Sequence, residues 1–574
     1  MIQKNSVISD PRNGNGANLF FRLSITPSVP LQFCLFLFVN FSLLTISALP
    51  ANSKVTFTSS NWPIVIIDTF GKPIQDLYRT DAVMKIIYNG KGVRNNVSDP
   101  ANNYDGRIAI ELRGSSSIAY PKKGYRFETQ NASGDNLNVS LIGMPKENDW
   151  ILYGPHDDQS LIRNVLAYRL SNDIERYASR TRFCELVLNG DYRGLYVLLE
   201  KIKQDKNRVK ITEMDSAAIT GDAVTGGYVI KFDKEEGENV GGWWSDHNIF
   251  YQYHEPKADD IMPEQKYYIK DYVNRFETTM LRDNAADSTT GYPLYIDVAS
   301  FIDHFILNEF CKNIDAYRIS FYMFKDRDIK GGKLNAGPIW DFNLSLGKTW
   351  YPEDAYRVDE WEIDHNHYKP NDWPKVPFWW EQLGHNPEFG KRVEIRWREL
   401  RQTVLRQDSL FHRVDLLVDS LAEARVRNFE RWPETAQAHS YAQEIQMLKQ
   451  WINNRINWIE ANLGKLTTVS NDPEGERPQY FCLEQNYPNP FKPSTVISYQ
   501  LAETTASQRL AADSFVDVSI YNPLGQKVAT LVSGKQRAGY YSVIWEASGF
   551  SSGVYFCRLQ ASGFEQTRKL LLLR

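Results

Sequence analysis

The chain has 574 residues, with 66 Lys+Arg against 70 Asp+Glu and a formal net charge of −4. That length exceeds what a single hydrophobic core serves, so three or four folding units are expected. The near-neutral balance offers no electrostatic case for nucleic acid or an anionic membrane surface as partner.

The amino-terminal stretch places Lys4, Arg12 and Arg22 ahead of an apolar run, Leu31 to Ile46, followed by the small residues Ser47, Ala48 and Ala51. This layout predicts a secretory signal peptide over 1–51. A membrane anchor is the alternative, but Gln32, Asn40 and Ser42 interrupt the run. No transmembrane helix is expected once the signal is cleaved.

From Val55 onward, short β-like runs alternate with Gly, Asn and Asp turns. Strands are expected at 63–68, 82–88, 107–112, 123–128, 185–188, 194–199 and 227–232. One helix interrupts them, Ser160 to Leu170, with apolar residues at 161, 162, 165, 166 and 170. Residues 55–260 therefore read as a strand-rich lobe and 261–465 as a mainly helical one. In the second lobe Phe301, Phe305, Ile306 and Phe310 recur at helical spacing. A final helix carries Leu448, Ile452, Ile456, Ile459 and Leu463 and is expected to stop at Gly464. Residues 466–478 are polar with Pro and Gly and read as a linker. Residues 479–574 hold five or more short strands and predict a small immunoglobulin-like β-sandwich.

Cysteines do little to organise the chain. Cys34 lies in the leader, and Cys184, Cys311, Cys482 and Cys557 are far apart with no Cys-x-x-Cys. Neither a zinc site nor a disulfide framework is indicated. Asp364-His365-Asn366-His367 lacks a third partner in sequence and reads as a solvated loop. Trp350-Tyr351, Trp361, Trp373 and Phe378-Trp379-Trp380 line a groove or fill a core.

The residues with chemical promise sit in two places. Asn313-x-Asp315-Ala-Tyr-Arg318 is followed, 26 residues after Asp315, by Gly337-Pro-Ile-Trp-Asp341-Phe-Asn343. Two strand-like runs separated by a turn at Arg327–Gly332 lie between them, and a hairpin brings Asp315 and Asp341 to one end of a ribbon. Trp340 and Phe342 flank Asp341, and a carboxylate in such surroundings needs a cation or donor. Phosphoryl transfer uses two such acids, one on the attacking hydroxyl and one on Mg²⁺. Upstream, alternation along 122–127 puts Lys122 and Arg126 on one face, near the loop Arg113-Gly114-Ser115-Ser116-Ser117. These cations read as phosphate ligands, or as an edge strand guarded against pairing. Arg163 and Asn164 open the helix of the first lobe. There Arg163 touches a phosphate or acidic substrate, or clamps Asp157 or Asp158.

These motifs resemble the CotH kinase family, atypical secreted protein kinases named after a spore-coat protein. The resemblance extends to Leu112-Arg113-Gly114-Ser115, Pro121-Lys122-Lys123-x-Tyr125-Arg126, Trp150 to Asp158, Leu161-Ile-Arg163-Asn164, Asn189-Gly190-x-Tyr192-x-Gly194 and Glu200-Lys201-Ile202, over about residues 60 to 400. It implies a two-lobed kinase-like fold and ATP with Mg²⁺ or Mn²⁺ as cofactors. Asp341 and Asn343 are implied as metal ligands, and Asp315 as the group that orients the acceptor or shares the metal. Lys122, Arg126, Arg113 and Arg163 are implied around the nucleotide, with Glu200 as a positioning partner of Lys122. Ordinary protein-kinase His-Arg-Asp and Asp-Phe-Gly triplets are missing.

At the carboxyl end, Tyr487-Pro-Asn-Pro490, Tyr521-Asn-Pro-Leu-Gly525, Ser552-Gly553-Val554-Tyr555 and Thr567-Arg568-Lys569 resemble the sorting domain of type IX secretion cargo. This implies the type IX machinery as a partner and a secreted or cell-surface destination. A plain adhesive module is the alternative. For the whole chain the expected function is phosphorylation of Ser/Thr on exported proteins. Two rivals stand beside it: a non-catalytic surface or adhesion protein, and a carboxylate-pair hydrolase of surface glycans.

Overall fold

In the computed structural model the described residues are 55–234, 241–351, 354–370, 372–436, 439–466, 481–486, 489–502, 514–536 and 539–573. The expected signal peptide, nearly all of the expected linker, and Tyr487 and Pro488 lie outside them.

The first region is built from β1 (Ser59–Ser60), β2 (Ile64–Asp68), β3 (Thr80–Ile87), β4 (Asn95–Asn96), β5 (Tyr104–Arg113), β6 (Gly124–Gln130), β7 (Asp149–Tyr153), β8 (Thr181–Leu188) and β9 (Asp191–Glu200). β1 and β4 form a small pair of their own. The remaining seven close into a barrel in the order β2-β3-β5-β6-β7-β9-β8. Neighbours are antiparallel except where β2 meets β8 to close it, with Ile64 opposite Glu185. Alternation explains the closure: on β3 the buried positions Thr80, Ala82, Met84 and Ile86 share one face. Of these, Ala82, Met84 and Ile86 make a core inside the barrel with Ile67, Ile110, Phe127, Leu152 and Leu198.

Helix α1 (Arg163–Asp173) leaves the barrel between β7 and β8. It starts three residues later than its apolar pattern suggests. The Asp158 carboxylate accepts from the backbone N–H of Ser160 (3.0 Å) and of Arg163 (2.8 Å), which holds 160–162 as a turn.

A second, five-stranded sheet comprises β10 (Tyr228–Phe232), β11 (Gly242–Trp244), β12 (Phe250–Glu255), β13 (Phe321–Lys325) and β14 (Leu334–Ala336), ordered β11-β12-β10-β13-β14. The expected hairpin is therefore present as β13–β14, with Met323 opposite Ala336. The sheet also straddles the boundary expected at 260/261, because β10 pairs with β13 along its whole length.

Helices α2 (Pro263–Met280), α3 (Val298–Cys311), α4 (His365–Tyr368), α5 (Phe378–Gly384), α6 (Pro387–Arg401), α7 (Gln407–Ser420), α8 (Ala424–Arg431) and α9 (Tyr441–Leu466) make the middle of the chain mainly helical. The expected stripe on α9 is buried, but the helix runs through Gly464. Leu466, buried in the last turn, packs where Gly390 has no side chain; a Cβ there would come within 1.8 Å of the Leu466 carbonyl. His365 is likewise not solvated: it is buried, with Nε2 3.0 Å from Asp372. Trp361, Trp379 and Trp380 fill the core, whereas Trp350 and Trp373 are exposed.

The carboxyl-terminal region holds β15 (Cys482–Leu483), β16 (Ser494–Leu501), β17 (Ser514–Tyr521), β18 (Lys527–Gln536), β19 (Gly539–Glu546), β20 (Gly553–Ala561) and β21 (Phe564–Leu572). They form two sheets, β15-β16-β19 and β18-β17-β20-β21. Leu483, Ile497, Val518, Trp545, Leu559 and Leu570 share one core. Cys184, Cys311, Cys482 and Cys557 are free thiols. Among the described residues no helix is long and apolar enough to cross a membrane.

Candidate active site

Strand direction assembles the site. β10 runs antiparallel to β13, with Phe232 opposite Phe321, and β13 runs antiparallel to β14. Asp233 just past β10, Asp315 ahead of β13 and Asp341 beyond β14 therefore emerge at the same end of the sheet.

Asp315 lies in a loop wound by its own hydrogen bonds. Lys312 ends α3 in a left-handed conformation at φ 45°. Asn313 Oδ1 then accepts from the Asp315 N–H at 3.4 Å, and Arg318 donates to the Ile314 carbonyl at 2.9 and 3.2 Å. The loop carrying Asp341 is held from α1. The Asp341 N–H donates to the Tyr168 hydroxyl (3.0 Å) and the Phe342 N–H to Asn164 Oδ1 (2.6 Å). Asn164 and Tyr168 are four residues apart, so one face of α1 supports two successive peptides. Asp341 itself is left-handed at φ 62°, a conformation rare outside glycine.

Both carboxylates are half-buried, and among the described residues neither accepts a hydrogen bond or forms an ion pair. Burial, and then the charge of Asp341, push the Asp315 carboxyl up to about 6, while Arg318 and Lys234 oppose the shift. Asp341 is also raised, first by burial and then by Asp233 and Asp157, with Arg113 pulling it down. Arg113 lies over the Trp340 ring at 5.0 Å, and Tyr168 stacks with the same ring at 6.0 Å between centroids. The Asn343 side chain, two residues beyond Asp341, is also without a hydrogen-bond partner among the described residues.

Asp315 and Asp341 thus face one another within reach of the cations Arg113, Lys234 and Arg318, with Asn343 two residues beyond Asp341 on the same loop. Carboxylates that lack donors and repel one another suit a hard divalent ion, which prefers oxygen ligands and keeps water. Among the described residues no three His, Cys, Asp or Glu side chains stand close enough to hold a metal by themselves. Substrate phosphates and water would have to complete the coordination of such an ion.

Four expected site residues lie elsewhere. Lys122 is 1 % exposed; its Nζ donates to Asn428 Oδ1 of α8 (2.7 Å) and to the Pro155 carbonyl (3.3 Å). Because β6 begins at Gly124, Lys122 precedes the strand and strand alternation does not govern it. Arg126 faces Glu111 across β5–β6 and pairs with it at 2.5 Å. Glu200 pairs with Arg180 at 2.8 Å, so the expected Lys122–Glu200 contact is not formed. Arg163 is fully buried; its guanidinium contacts Asp158 (2.6 Å) and Glu444 (2.8 Å) and donates to the Ser345 carbonyl (3.0 Å). Of the two alternatives for this residue, the clamp is the one formed.

Three contributors went unread in the sequence. The Tyr168 and Asn164 side chains hold the backbone of the Asp341 loop, and Asn164 stood out only as a helix opener and as part of the motif Leu161-Ile-Arg163-Asn164. Asp233 ends a strand whose partner is distant in the chain. The one local signal was its position immediately after the alternating run 227–232.

Comparison with known proteins bears on the family rather than on individual site residues. The family described as CotH kinase protein matches residues 110–459, more than half of the chain. The family described as secretion system C-terminal sorting domain matches residues 485–573, which points to a secreted or cell-surface protein that meets the secretion machinery. Among curated proteins none matches. The chain therefore belongs to the CotH kinase protein family and carries a secretion-system sorting domain at its carboxyl end.

Proposed function

We propose that this protein is a secreted protein kinase that transfers the γ-phosphoryl group of ATP to a Ser or Thr hydroxyl of surface or exported proteins. The observation that carries the reading is the pair of unpartnered carboxylates, Asp315 and Asp341, at one sheet end beside the cation Arg113. In this reading the barrel and the helical region are the two lobes of an atypical kinase, and the carboxyl-terminal sheets form an immunoglobulin-like sandwich. Asp341 and Asn343 hold Mg²⁺ or Mn²⁺. The ion, when bound, neutralises charge on the phosphates. Arg113, held over Trp340, meets phosphate oxygens. Asp315 orients the acceptor hydroxyl and takes its proton, a role for which a pKa near 6 suits neutral pH.

One observation favours the rival reading, a surface or adhesion protein that retains the fold. Lys122, the strand lysine expected on the nucleotide, is tied to Asn428 and buried. The two readings separate in one experiment. Full-length protein incubated with γ-labelled ATP, Mn²⁺ or Mg²⁺ and a generic acceptor should incorporate label, and Asp341→Asn should not. Absence of label in the unaltered protein, with folding verified, favours the non-catalytic reading.

A further inference from the structure

Behind the loop that carries Asp341 lies a cavity of about 210 Å³. One wall is Gly337-Pro338-Ile339, the segment that runs directly into Trp340 and Asp341. The lining also takes in the end of α1, the segment after β9, α3 and the hairpin β13–β14, so the cavity lies at the junction of the barrel side and the helical region. Small-molecule sites favour such junctions. About seven waters would fill this volume, which is more than isolated structural water requires.

The chemistry of the lining is mixed in a specific way. Leu307, Phe324 and Ile339 supply an apolar floor. His304 on α3 also lines the cavity; it is 5 % exposed, and its Nδ1 has no hydrogen-bond partner. Burial lowers its pKa to about 3, so the ring is neutral at any working pH and offers one donor and one acceptor. A buried ring nitrogen left without a partner is rare, because it forfeits its hydration with nothing in return. The charged residues of the lining are Arg176, Arg208, Lys210 and Glu175. Arg208 is spent on the carbonyls of Lys201 and Asp149, and Arg176 on Asp303. Lys210 is exposed at the rim and forms no ion pair among the described residues.

We propose that this cavity is a binding site for a small organic carboxylate, with its apolar body on Leu307, Phe324 and Ile339, a hydrogen-bonding group on His304 and its charge towards Lys210. An inorganic anion would leave the floor uncovered, and a neutral hydrocarbon would leave His304 unpartnered.

The test is calorimetric titration of the full chain with 3-hydroxybenzoate and 4-hydroxybenzoate, with the matching hydroxybenzamides as neutral controls. At least one acid should bind saturably at one site, and its amide should bind at least tenfold more weakly. Lys210→Glu, an exposed change, should weaken the acid at least tenfold. His304→Phe keeps the ring and should weaken the hydroxylated acid about tenfold while leaving benzoate unaffected. If His304→Phe does not fold, Lys210→Glu alone decides. The proposal is overturned if neither acid binds saturably, or if binding survives Lys210→Glu unchanged. Binding should persist in Asp341→Asn, so this site and the kinase reading stand or fall separately.

Discussion

Arg163→Met is the sharpest test of how the acidic cleft is built. The guanidinium occupies a fully buried position between two carboxylates, Asp158 and Glu444, and also caps the carbonyls of Ser345 and Leu346. Methionine fills much of the volume but leaves both acids and both carbonyls without this donor. Breaking a buried ion pair by removing one partner costs about 3–5 kcal/mol, and each orphaned carbonyl adds roughly 1 kcal/mol. A loss of about 5–7 kcal/mol follows, measurable as a fall in the urea midpoint at constant slope.

The pH dependence gives an independent reading of the same clamp. Glu444 is buried, yet Arg163 and His439 hold its pKa down at about 2. Its folded pKa lies below the unfolded one, so the stabilisation is present above about pH 4.5 and is lost as pH falls towards 2. A shift of that size corresponds to about 3 kcal/mol, in line with the pair estimate. In Arg163→Met that acid-labile increment should shrink sharply. Unchanged stability together with lost ATP affinity would refute the clamp and return Arg163 to the nucleotide.

Asp341→Asn should abolish label transfer and weaken Mn²⁺ binding, read by paramagnetic resonance, with the fold intact. It should also bring the Asp315 pKa below about 6, seen as an acid-side displacement of the carboxyl titration in metal-free protein. Asp315→Asn should stabilise the metal-free protein at pH 8 by about 1–3 kcal/mol. An acid with a raised folded pKa loses stability as pH climbs from its unfolded value through the folded one, and the amide escapes that loss. A thermal melt with no gain at pH 8 would contradict the repulsion. For Lys122, burial holds the pKa well below that of free lysine, so stability should rise with pH towards about 10.5. Lys122→Met should flatten that slope and leave ATP affinity unchanged; lost ATP binding would put Lys122 back in the site. Removing residues 479–574 should leave label transfer intact in vitro and trap the protein in the periplasm of its native host, as cell fractionation would reveal.

The sequence by itself determined whatever depends on neighbours along the chain. Strands β2, β3, β5 and β10 were legible because alternation records which face is buried. The hairpin β13–β14 was legible because its turn is local, and with it the meeting of Asp315 and Asp341. Family motifs carried Arg113 to the same place. Only the tertiary structure decided the rest. Lys122 lies before its strand begins, and Asn428, far along the chain, claims its ammonium group. Asp233 joined the site through pairing of β10 with a strand some ninety residues on, which no local period encodes. The phosphate and clamp alternatives for Arg163 were separated by Glu444 and the Ser345 carbonyl, both supplied from distant segments. Helix α9 passed Gly464 because burial of Leu466 against Gly390 outweighed the local tendency of glycine to end a helix. Local propensities are worth about 1 kcal/mol per residue, and a buried side chain or ion pair is worth several, so packing prevails where the two conflict.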